Sequence, residues 1–124
     1  MADQATDEVH RHYIDGEWTE GTGDDQFSSE NPATGEELAR FERGTEADVE
    51  RALDAADDAF EEWRDLSYID RAEYLWDIYH ELRERTDELG EVITKECGKE
   101  ISEGRADVIE AYHMVEWAAG NSRH

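Results

Sequence analysis

The periodicity of the chain changes once, near Arg43, and that change limits the folds open to it. Upstream, short extended stretches are separated by turn residues; downstream, apolar residues recur at three- and four-residue spacing. His12-Tyr13-Ile14 and Glu17-Trp18-Thr19 flank Asp15-Gly16, a pair suited to the left-handed dihedrals of a tight hairpin turn. Residues 20–25, with Gly21 and Gly23, read as a linker. Residues 27–30 and 37–42 read as a second strand pair around Pro32-Ala33-Thr34-Gly35. Residues 1–10 are polar, acidic and aperiodic, so a loose tail is expected there.

Beyond Arg43 the signals are helical. Thr45 followed by Asp48 makes a capping box with Asp in place of the usual Glu, and Val49, Ala52, Leu53, Ala56, Phe60 and Trp63 form one apolar stripe. Ser67 with Asp70 marks a second start, with Ala72, Leu75, Trp76, Tyr79 and Leu82 facing inward. A third helix carries Leu89, Val92, Ile93 and Cys97 and ends at Gly98, a residue that accepts the left-handed conformation of a helix terminus. The fourth begins near Ile101, with Val108, Ile109, Tyr112 and Val115 on its inward face.

Charge narrows the partners. With 35 acids against 12 bases the net charge is -23, so nucleic acid and anionic membrane surfaces repel the chain. The acids lie outside the apolar stripes and read as a solvated surface. Only Lys95 and Lys99 are lysines, against ten arginines, a composition like that of proteins from salt-loving cells. The screening length falls from ~10 Å at 0.1 M salt to ~3 Å at 1 M, so high salt should favour folding. There is no apolar run of the ~20 residues that a membrane span requires, and the acidic start lacks a signal peptide's basic and apolar regions. One cysteine gives no internal disulfide; together these features lead to a cytoplasmic expectation.

The residues that invite a chemical role lack its context. Cys97 closes an apolar helical row with no evident base and is expected to be a small buried hydrophobe. His80-Glu81 starts like a zinc-protease helix, but position 84 is Glu rather than the second His. His10 and His12 have no third ligand nearby. Gly21-Thr22-Gly23 lacks the third glycine of a dinucleotide fingerprint, and Gly98-Lys99 lacks the rest of a phosphate loop. Trp63, Trp76 and Trp117 read as packing residues, and Glu96, Glu100 and Glu103 as solvated charges.

Several short motifs nevertheless follow one another in a specific order. They are Tyr13-Ile14-Asp15-Gly16-Glu17-Trp18, Asn31-Pro32-Ala33-Thr34-Gly35-Glu36, Phe60-Glu61-Glu62-Trp63, Arg71-Ala72-Glu73-Tyr74-Leu75, Glu96-Cys97-Gly98-Lys99 and Glu110-Ala111-Tyr112-His113-Met114-Val115-Glu116-Trp117-Ala118. This succession resembles the aldehyde dehydrogenase superfamily and corresponds to roughly the first quarter of such an enzyme. The resemblance implies an incomplete α/β fold: a β-hairpin arm over residues 11–43, then about four amphipathic helices over 44–124 that would flank a Rossmann-like cofactor-binding sheet.

It also implies NAD- or NADP-dependent oxidation of an aldehyde to a carboxylic acid, by thiolate attack, hydride transfer and hydrolysis with a Glu-activated water. The family's nucleophile, base and cofactor residues belong downstream, so this chain is expected to act as scaffold, with no catalytic residue and no bound NAD or NADP. Some members hold a monovalent cation, and the corresponding ligands would be Ser29, the backbone carbonyl of Glu30, and Asp107. The expected partners are the remainder of the enzyme, or a second copy through the apolar helix faces; the complete enzyme is expected to be a homo-oligomer. Two other readings stay open: an acidic helical interaction module, and a gene remnant with no role of its own.

Overall fold

The computed structural model describes residues 9–121, which form five short strands followed by four helices. They divide into two compact units. The first holds the strands and nearly all of α1; the second holds Pro32–Thr34 and the remaining helices.

In the first unit, β1 (Val9–His10) runs parallel to β5 (Glu37–Glu42), which pairs antiparallel with β4 (Gln26–Glu30), giving the order β1-β5-β4. Val9 and His10 belong to the stretch expected as a tail. They pair instead with Arg40 and Phe41, and two residues are too few to show a period. The rest of that expected tail, 1–8, lies outside the described residues. Phe27 lies opposite Phe41 with ring centroids 5.5 Å apart, and the β4–β5 register shifts between Ser29 and Glu30.

The separate hairpin of β2 (His12–Ile14) and β3 (Glu17–Thr19) turns at Asp15 and Gly16, whose φ values are 55° and 76°. Two consecutive positive values match the twist of the flanking strands, which is why Asp-Gly works here. Tyr13 meets Trp18 edge-on across the hairpin at 5.2 Å.

Helix α1 (Glu46–Asp65) starts at the expected capping box: the Thr45 N–H donates to Asp48 Oδ2 at 2.9 Å, and the Asp48 N–H to Thr45 Oγ1 at 3.3 Å. Its stripe does not form a core: Val49, Leu53, Phe60 and Trp63 are all exposed. Contacts also group α1 with the β arm, whereas the sequence boundary at residue 44 groups it with the other helices.

The second unit is a three-helix layer of α2 (Tyr68–Glu84), α3 (Thr86–Cys97) and α4 (Ile101–Asn121). Ser67 caps α2, its hydroxyl accepting from the Asp70 N–H at 3.1 Å. Gly98 ends α3 at φ 68°, and a Cβ there would stand 2.9 Å from Pro32 Cγ. The helices meet through small side chains: Ala72, Gly90, Gly104, Val108 and Ala119 are buried. At the α3–α4 crossing, a Cβ on Gly104 would lie 2.5 Å from the Gly90 carbonyl oxygen and 2.6 Å from Thr94 Oγ1. Tyr79 bridges α2 to Tyr112 on α4, edge-on at 5.7 Å.

Large apolar residues take the opposite place. Tyr74, Ile78, Val92, Met114 and Trp117 are exposed, Trp117 to 66%. A layer with glycine and alanine inside and tryptophan outside forgoes the ~1.5–3 kcal/mol that each large side chain gains on full burial. It has the side-chain distribution of one sheet of helices in a larger stack.

Candidate functional site

Two polar assemblies stand out, one in each unit. In the first, Asp48 is 3% exposed, the one buried charged residue among those described. Its carboxylate accepts the Thr22 N–H at 3.0 and 3.2 Å, the Thr45 N–H and hydroxyl at 2.9 Å each, and Arg51 at 3.3 Å. The Thr45 amide foremost, then the Thr22 amide, lower its pKa from 3.8 to about 2 against the opposing effect of desolvation. Next to it, the Gly21 N–H donates to Glu42 Oε2 at 2.6 Å. The amides of Gly21 and Thr22 therefore serve carboxylates of the chain itself, the reverse of a phosphate cradle.

In the second unit, Cys97, Gly98 and Lys99 form the corner between α3 and α4. Cys97 is exposed, contrary to the buried position expected. Of the row that it closes, Leu89 and Ile93 are half-buried and Val92 is exposed, and Cys97 itself stands at the last position of the helix. The Lys99 ammonium reaches back to Asp107 on α4, and this hydrogen bond raises the lysine pKa above its ordinary value. Arg105 on α4 pairs with Asp87 on α3 at 2.7 Å, tying the same two helices together.

The residues singled out in the sequence are distributed as follows. Ser29 and Glu30 sit at the register shift of β4, and Asp107 is paired with Lys99. Among the described residues no group of three or more His, Cys, Asp or Glu is arranged to hold a metal ion. His10 lies tilted against Phe41 with ring centroids 5.1 Å apart, and His12 Nε2 is buried with no hydrogen-bond partner. Trp76 is half-buried against Tyr79, while Trp63 and Trp117 are exposed. Sequence reasoning found Asp48 only as a cap. Its link to Thr22 spans 26 residues and leaves no local pattern.

Neither assembly joins a nucleophile to a base, so the architecture rather than a reaction centre carries the comparison with other proteins. The family model described as "Aldehyde dehydrogenase family" matches residues 18–124. The chain belongs to the aldehyde dehydrogenase family. Within it, the chain is 37% identical over 112 residues to malonate-semialdehyde dehydrogenase 1 of Geobacillus kaustophilus, covering 90% of this chain and 23% of that protein. It is 39% identical over 110 residues to a malonate-semialdehyde dehydrogenase of Listeria monocytogenes, covering 89% and 22%.

Among solved structures, lactaldehyde dehydrogenase from Escherichia coli aligns at TM-score 0.89 and 33% identity, over 94% of this chain and 24% of that one. Aldehyde dehydrogenase C from Pseudomonas syringae, solved with NAD+ and octanal, aligns at 0.90 and 35%, over 93% and 24%. This aldehyde dehydrogenase chain therefore spans about a quarter of the length of the relatives it matches, and it corresponds to their amino-terminal segment. The β arm and the three-helix layer are family architecture.

Proposed function

We propose that this chain is the amino-terminal scaffold of an NAD- or NADP-dependent enzyme that oxidises an aldehyde to a carboxylic acid. The observation that carries the reading is the inverted helical layer, with Gly90 and Gly104 at its centre and Tyr74, Ile78, Met114 and Trp117 outside. Such a layer suits the flank of a cofactor-binding sheet built from the rest of the enzyme. The cofactor supplies the hydride chemistry, and this segment holds the sheet's flank in place. The relatives act on malonate semialdehyde and lactaldehyde.

The cytoplasmic setting, the salt adaptation and the homo-oligomeric state of the whole enzyme belong to the same proposal. So does the cation role of Ser29, Glu30 and Asp107. Their oxygens suit a hard cation, and the role requires Asp107 to exchange the Lys99 ammonium for the ion.

The test is an assay of aldehyde-dependent cofactor reduction. The chain alone should show none, and the chain fused to the remaining portion of a related malonate-semialdehyde dehydrogenase should show it. Cofactor reduction by the chain alone that vanishes in Cys97→Ser would overturn the scaffold assignment. A folded but inactive fusion would overturn the proposed contribution to the enzyme.

A further inference from the structure

We draw no further inference here: the strongest candidate, the exposed apolar row of Val49, Leu53 and Phe60 along α1, carries nothing because nothing in the structure shows what covers it.

Discussion

Two alanine substitutions in one helix should act in opposite directions. Replacing glycine by alanine in a helix gains up to about 1 kcal/mol from reduced backbone freedom in the unfolded chain. At Gly120 a Cβ meets nothing within 4 Å, so Gly120→Ala should keep that gain, trimmed by its place in the last turn of α4. At Gly104 the same Cβ would stand 2.5 Å from the Gly90 carbonyl oxygen, a backbone atom of α3 that cannot rotate aside. Restoring ordinary contact requires the helices to part by roughly 1 Å, and a gap of that size forfeits about a quarter to a half of each dispersion contact along the crossing.

Overpacking of this kind costs about 1–3 kcal/mol, more than the propensity gain. Gly104→Ala should therefore lower the melting temperature by about 4 °C for each kcal/mol of net loss, while Gly120→Ala leaves it unchanged or raises it. Circular dichroism melts in molar KCl would measure both. Thr94→Ala should not rescue Gly104→Ala, since the clash with the carbonyl persists. A Gly104→Ala protein melting at or above the parent would refute the close approach of α3 and α4.

Other parts of the structure make separate commitments. Gly98→Ala adds a side chain at φ 68°, 2.9 Å from Pro32 Cγ, and should destabilise the chain by about 1–2 kcal/mol in urea titrations; an unchanged midpoint would count against that contact. Asp48 has a folded pKa of about 2 against an ordinary 3.8, so its contribution is present above about pH 4 and is lost as pH falls towards 2. The parent should lose more stability than Asp48→Asn between pH 5 and pH 2, and equal losses would remove Asp48 from the account. The exposed Cys97 thiol should react with a thiol reagent in the folded protein at the rate seen in denaturant, and a reaction that waits for unfolding would restore the buried reading. Helical signal should grow from low to molar KCl, and a flat response would oppose the role given to the -23 charge.

Local chemistry was the legible part of this fold. Asp15-Gly16, the Thr45 and Ser67 caps and the Gly98 stop each act within a few residues, and each appears where its residue types require. The inward faces were harder to read, because an apolar stripe records that a helix is covered in its working state and not by what. Val108 is buried as its spacing implied, whereas Leu53 and Phe60, with the same helical spacing, are exposed in the described chain. Long-range links such as Thr22 to Asp48 and the glycine crossing of α3 and α4 have no sequence period at all. The chemical candidates followed the same division: the missing context around His80-Glu81 could be read directly, but Lys99 as the partner of Asp107 depends on how two helices meet.

The central claim is that the large apolar side chains outside the helical layer are made to be covered by the rest of an aldehyde dehydrogenase. Fluorine NMR of the chain labelled with 5-fluorotryptophan, recorded before and after adding the remaining portion of a related enzyme as an unlabelled chain, addresses it directly. Trp117, 66% exposed in this chain, should shift and lose its solvent isotope effect on assembly. A Trp117 resonance that keeps its position and its solvent response in a complex that oxidises aldehydes would contradict the account.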